Sequence, residues 1–251
     1  MAEAEAPQWI ARPDGVRLAF RHRLGTKPGP TIVFLPGYAS DMQGSKALAL
    51  DAWAARTGHA LLRFDYSGCG ESDGRFEDGT LAVWRDDARR VINHAAPGPV
   101  LLIGSSMGGW LALLLARDLG PRVAALIGIA AAPDFTDWGF SAAEKAVLEK
   151  EGRLLRPSDY GPEPMLTTRA FWGSGQALRL LDGPIDIDCP VRLLQGQADP
   201  DVPWQTALKI AACVRSADVQ LHLVKQGDHR LSRPADLALL EAALNPLMEA
   251  L

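Results

Sequence analysis

Val100-Leu101-Leu102-Ile103-Gly104-Ser105-Ser106-Met107-Gly108-Gly109-Trp110-Leu111-Ala112-Leu113-Leu114-Leu115-Ala116 is the stretch on which the fold turns. Val100 to Ile103 is a short apolar run of strand type, and Trp110 to Ala116 opens a nearly all-apolar, buried helix. Between them lies G-x-S-x-G centred on Ser106, since only that serine has glycine at both −2 and +2. A sharp strand-to-helix turn of this kind strains the serine backbone and lifts its hydroxyl clear of the sheet, and the glycines leave room for the turn. The bland alternative is a glycine-rich βα turn with incidental serines; the strand before and the buried helix after argue against it. Ser105 should point elsewhere.

Outward from this turn the same rhythm repeats. Apolar runs bounded by turn residues occur at Thr31 to Leu35, Ala60 to Phe64, Val123 to Ile129, Val191 to Leu194 and Val219 to Val224. Runs this continuous suit strands covered on both faces, as in a parallel sheet. Helical patterns alternate with them: Ser45 to Thr57 ending at Gly58, Thr80 to Ala95 with Thr80 as N-cap, Met107 to Leu119, Trp204 to Val214, and Pro234 to Leu251. Alternation of this kind predicts an α/β fold with a mostly parallel, doubly wound sheet. Ahead of it, Trp9 to Ala11 and Val16 to Arg23 flank Asp14-Gly15 and read as an N-terminal antiparallel hairpin. From about Pro133 to Pro190 the rhythm lapses, and so long an interval should carry its own elements. Ser141 and Glu144 stand in capping-box spacing, and Thr168 to Leu181 is a second, weaker helical pattern. The expectation is one domain, 1–251, with a small helical cap inserted at about 133–190.

Composition sets the outer limits. The chain has 251 residues, 47% hydrophobic and 22% charged, with a formal net charge of −4, so one sizeable core is available and no basic stripe follows a phosphate backbone. Nucleic acid is not an expected partner. The most apolar runs fall short of the roughly 20 residues that cross a bilayer, so no stable membrane insertion is expected. Cys69, Cys189 and Cys213 are scattered and odd in number, which suits a reducing compartment. The acidic opening Met1-Ala2-Glu3-Ala4-Glu5-Ala6 does not read as a targeting segment, and a cytoplasmic location is expected.

A serine hydroxyl is a poor nucleophile at neutral pH, so a histidine must take its proton and a carboxylate must hold that histidine in the right tautomer. Only His222 and His229 follow Ser106. His222 falls inside a strand-like run, whereas His229 follows that strand in the polar loop Gln226-Gly227-Asp228-His229 and is the candidate base. The acid should follow the preceding strand, where Gly196-Gln197-Ala198-Asp199-Pro200-Asp201-Val202-Pro203 supplies Asp199 and Asp201; spacing leaves both open, with Asp199 first in the turn. The developing oxyanion needs donors, read here as the backbone N–H groups of Met107 and of Tyr38 in Pro36-Gly37-Tyr38. Asp65 to Gly74 superficially resembles a metal loop, but its spacing fits no calcium site and a structural turn is expected. No metal and no cofactor is expected.

Phe34 to Tyr38, Arg63 to Gly74, Gly104 to Trp110 and Asp228-His229-Arg230 together resemble the α/β-hydrolases, in the branch that includes acyl-protein thioesterases and acyl-glucuronide esterases. The similarity runs from about Thr31 to Leu240. It implies the α/β-hydrolase fold, Ser106 as nucleophile, His229 as base, and Asp199 as acid within Gly196-x-x-Asp199-x-x-Val202-Pro203. Many α/β-hydrolases have His-Gly where this chain has Pro36-Gly37, which leaves the Tyr38 N–H available. The expected activity is hydrolysis of a small-molecule or acylated-protein ester or thioester. A peptidase or amidase on the same triad and a non-catalytic binding protein of the same fold are the competing readings.

Overall fold

The computed structural model describes residues 6–158 and 164–251. All but Ala6 of the acidic N-terminal stretch, and residues 159–163 of the interval expected to form a cap, lie outside them. β1 (Gln8–Ala11) and β2 (Arg17–Arg23) pair antiparallel. The Asp14 carboxylate in their turn accepts the Val16 N–H at 3.2 Å, a local bond that favours the reversal. The alternating part follows: β3 (Thr31–Leu35), α1 (Ser45–Thr57), β4 (Leu61–Phe64), α2 (Leu81–Ala95), β5 (Val100–Ser105), α3 (Met107–Leu119) and β6 (Val123–Ile129). After an excursion the chain returns through β9 (Val191–Gly196), α7 (Gln205–Cys213), β10 (Val219–Val224) and α8 (Pro234–Ala250). The excursion holds α4 (Phe135–Trp138), α5 (Ala142–Glu151), β7 (Arg153–Arg156), β8 (Met165–Thr168) and α6 (Arg169–Ala177).

The strands form one sheet in the order β1-β2-β4-β3-β5-β6-β9-β10, parallel from β4 to β10 and joined to the hairpin through the antiparallel β2–β4 pair. Period-two alternation divides each apolar strand between two cores. Ile32 and Phe34 of β3, with Leu101 and Ile103 of β5, pack with Leu50 and Trp53 of α1 and Leu244 of α8. Val33 and Leu35, with Val100 and Leu102, pack with Trp84 of α2, Trp110 of α3 and Ile210 of α7. An uninterrupted apolar run is thus what a strand buried on both faces requires. Helix ends follow local chemistry: Gly58 ends α1 at φ 79°, and the Thr80 hydroxyl accepts the Val83 N–H at the start of α2.

The cap contains more than helices. The capping box forms at α5, where the Ser141 hydroxyl accepts the Glu144 N–H and the Glu144 carboxylate accepts the Ser141 N–H. Beside it, β7 and β8 form a separate antiparallel hairpin. The two ends of the excursion are clasped by one buried carboxylate: Asp134 accepts the Leu180 and Leu181 N–H groups, each at 2.8 Å.

Candidate active site

The strand-to-helix turn after β5 is built from backbone contacts. Ser106 sits at φ 55°, ψ −120°, a conformation an L-residue holds only when its surroundings enforce it, at a cost of about 1–3 kcal/mol. Its N–H donates to Ile129 of β6 at 2.9 Å, and its carbonyl accepts the Gly109 and Ala132 N–H groups. The glycines are required by proximity: a Cβ at Gly104 would lie 2.1 Å from the Gly108 carbonyl oxygen, and one at Gly108 would lie 2.1 Å from that of Leu35. Ser105 is buried, whereas the Ser106 hydroxyl faces His229.

Three loops at the C-terminal ends of β5, β9 and β10 bring the sequence-predicted residues together. His229 Nε2 lies 3.0 Å from Ser106 Oγ, and His229 Nδ1 lies 3.0 Å from Asp199 Oδ2. The other Asp199 oxygen accepts the Asp201 and Val202 N–H groups, both at 2.9 Å. The Asp199 side chain is fully buried. Burial alone would raise its pKa, but the hydrogen bond and charge of His229, with the two backbone donors, outweigh it and hold the carboxyl below the usual aspartate range. Asp201 is exposed and reaches the acid through its own backbone N–H, and His222 remains within β10, paired in register with Leu194.

On the other side of Ser106, the loop after β3 presses against the turn, so that a Cβ at Gly37 would lie 3.3 Å from Ser106 Cβ. Among the described residues the Tyr38 and Met107 N–H groups have no acceptor, which leaves both as donors for an oxyanion. The loop is pinned at Met42, whose N–H donates to Asp65 at 2.7 Å and whose carbonyl accepts from Arg63 at 3.0 Å. Burial pushes the Asp65 carboxyl up to about 6 against the pull of the Glu71 and Met42 N–H groups. The acids of the 65–74 turn therefore have protein partners: Asp65 holds backbone N–H groups, Glu71 pairs with Arg21 and Asp73 with Arg17. Cys69 in the same turn is buried, and burial pushes its thiol up to about 12, far from a reactive thiolate. Asp199, Asp201 and His229 bring potential ligand atoms within 4.8 Å of one another, but a metal there would have to break the His229–Asp199 bond.

Sequence reasoning missed two residues. Gln195, buried at the end of β9, donates to Asp199 Oδ2 at 3.0 Å; a polar side chain in the last turn-ward positions of an apolar strand was the available signal. Lys46 in the first turn of α1 donates to the carbonyl of Arg230 at 2.5 Å, next to His229, and burial lowers its pKa to about 8. Nothing in the local sequence marks that contact.

The fold and the strand-to-helix turn at Ser106 define an α/β-hydrolase, and the chain belongs to that family: residues 32–239 match the model of the alpha/beta hydrolase family. It is a hydrolase of this class. Human palmitoyl-protein thioesterase ABHD10, mitochondrial, is 40% identical over 98% of this chain and 85% of that protein, and the mouse protein of the same name is 40% identical over 97% and 82%. Among solved structures, mouse alpha/beta hydrolase domain-containing protein 10 superposes with a TM-score of 0.91 at 38% identity, covering 98% of this chain and 99% of that one. A crystal structure from Agrobacterium vitis superposes at 0.92 with 42% identity, covering 98% and 100%. The expected cytoplasmic location is corrected by these relatives, whose names place them in mitochondria. Unpaired, scattered cysteines report a reducing compartment and do not say which one. No helix among the described residues is long and apolar enough to cross a membrane.

Proposed function

We propose that the chain is a serine hydrolase of acyl esters and thioesters that works through an acyl-enzyme on Ser106. The observation that carries the reading is the continuous relay from Ser106 Oγ through both ring nitrogens of His229 to the buried carboxylate of Asp199, with both links at 3.0 Å. His229 Nε2 takes the hydroxyl proton as Ser106 Oγ attacks the acyl carbon, and Asp199 stabilises the imidazolium that forms. The carbonyl oxygen becomes an oxyanion facing the Tyr38 and Met107 N–H groups. Collapse expels the alcohol or thiol, which takes the proton from His229; water then attacks the acyl carbon by the same route and regenerates Ser106. Acylated proteins enter as a substrate class because the relatives named above are palmitoyl-protein thioesterases.

The test is fluorophosphonate labelling followed by a panel of p-nitrophenyl esters and acyl thioesters. Wild type should label and Ser106→Ala should neither label nor turn over. Each fully buried methylene is worth about 0.8 kcal/mol, so kcat/KM should rise several-fold, up to about fifteen-fold, per two carbons until the site is full. Labelling that survives Ser106→Ala removes the nucleophile assignment. A flat chain-length profile with efficient cleavage of aminoacyl amides favours a peptidase.

A further inference from the structure

Tyr38 joins two parts of the molecule through two parts of one residue. Its backbone belongs to the loop after β3, which touches Ser106 through Gly37. Its side chain belongs to the cap. The phenol donates to the carbonyl of Leu166 on β8 at 2.6 Å. The ring lies 4.7 Å from that of Phe171 in α6 and 6.2 Å from that of Phe135 in α4, with Phe76 at 5.1 Å and Trp84 at 5.6 Å closing the other sides. Three cap elements thus meet the side chain of a residue whose N–H has no acceptor among the described residues and whose neighbour Gly37 lies beside Ser106.

A ring enclosed by four others has almost no freedom about its own torsions, and the hydrogen bond to Leu166 fixes how far it reaches. Because Tyr38 is rigidly connected to its own peptide, displacement of the cap hairpin must be absorbed by the backbone torsions at Gly37 and Tyr38. Those torsions aim the Tyr38 N–H. We infer that Tyr38 is a positioning residue through which the seating of the cap sets the oxyanion hole, so that the cap acts on kcat. The inference rests on the triad proposed above.

Tyr38→Phe keeps the ring among its neighbours and removes only the phenol bond. With a p-nitrophenyl ester of medium chain length, kcat should fall about ten-fold with KM nearly unchanged, the pattern of an interaction made only in the transition state. Affinity for an acyl trifluoromethyl ketone, whose Ser106 adduct places an oxyanion in the same hole, should fall by the same factor, while the melting temperature stays within a few degrees of wild type. Tyr38→Ala, which also removes the ring, should lose more in both readouts. A Tyr38→Phe enzyme with unchanged kcat and inhibitor affinity, or one whose loss lies wholly in KM, would overturn the inference. Turnover by Ser106→Ala, measured on a separate protein, would overturn the triad beneath it, so the two failures are distinguishable.

Discussion

The rim of the sheet and the cap above it are held by different kinds of bond. At the rim, backbone packs on backbone: the Ser106 turn closes on β6 and on the carbonyls of Leu35 and Pro36 with no space for a single methyl at Gly104 or Gly108. The cap is tied by side chains reaching carbonyls. Trp172 Nε1 donates to Thr136, Trp138 Nε1 to Pro133, Trp110 Nε1 of α3 to Leu178, and the Tyr38 phenol to Leu166. Backbone-to-backbone fit tolerates no substitution, whereas side-chain ties can be exchanged one at a time at moderate cost.

The cap's large apolar groups also divide. Phe171 is buried against Trp84 and Phe135 packs against Trp110 and Phe171, so these two fasten the cap to the domain, while Phe140 is buried against Phe135 and Arg156 within the cap. Met165, Trp138 and Trp172 are only half-buried.

The largest expected effect lies at the rim. Asp199→Asn should lower kcat by about 10⁴-fold, the size known for losing the carboxylate that sets the histidine tautomer. Asp201→Asn should cost far less, since the bond by which residue 201 holds the acid comes from its backbone N–H, which the substitution keeps. Equal losses in steady-state kinetics would reverse the assignment. Next comes Gly108→Ala, where the new Cβ meets the Leu35 carbonyl oxygen at 2.1 Å. With rigid strand backbone on the far side, the expected destabilisation exceeds about 4 kcal/mol, read as loss of soluble protein or collapse of the melting temperature.

A cap substitution should do less. Asp134→Asn leaves one acceptor for two N–H groups and turns an amide N–H₂ toward the other, a loss of about 2 kcal/mol. Thermal melting should register a fall of roughly 6 °C at this chain length. A drop as severe as that of Gly108→Ala would erase the distinction between rim and cap.

The last effect is one of pH. Asp65 has a folded pKa of about 6 against an ordinary 3.8, so its protonated form favours the folded state. That contribution is fully present below pH 3.8 and is lost as pH rises through about 6. Asp65→Asn cannot titrate, so the melting temperature of wild type relative to the variant should fall by roughly 5–10 °C between pH 4 and pH 7. A gap constant across that window would mean the carboxyl titrates normally.

Much of the site was legible because its residues are consecutive or nearly so. Ser106 is marked by glycines on both sides, and His229 by its place in a loop directly after a strand. Asp199 and Asp201 were not separable by spacing, being two residues apart in one turn, where either carboxylate satisfies backbone donors. Tertiary contact separates them: Asp199 faces His229 while the Asp201 N–H supports it. Two strands extend beyond their apolar runs. β5 runs through Ser105 and β9 through Gly196; glycine, serine and glutamine look like turn residues, although the ladder continues across them. The β7–β8 hairpin was missed because four-residue strands carry too little alternation to stand out from a loop.

By itself, then, the sequence determined the alternation of strand and helix, the strained turn at Ser106 and the order of the three candidate residues, because each is written in neighbours a few positions apart and enforced by local sterics or hydrophobic period. Only the tertiary structure decided the strand order, the support that Gln195 and Lys46 give, and the reach of Tyr38 into the cap. Gln195 acts across a turn on a buried acid, Lys46 meets Arg230 from 184 residues away, and Tyr38 meets Leu166 across 128. Contacts of that span depend on how layers stack, which no local pattern encodes.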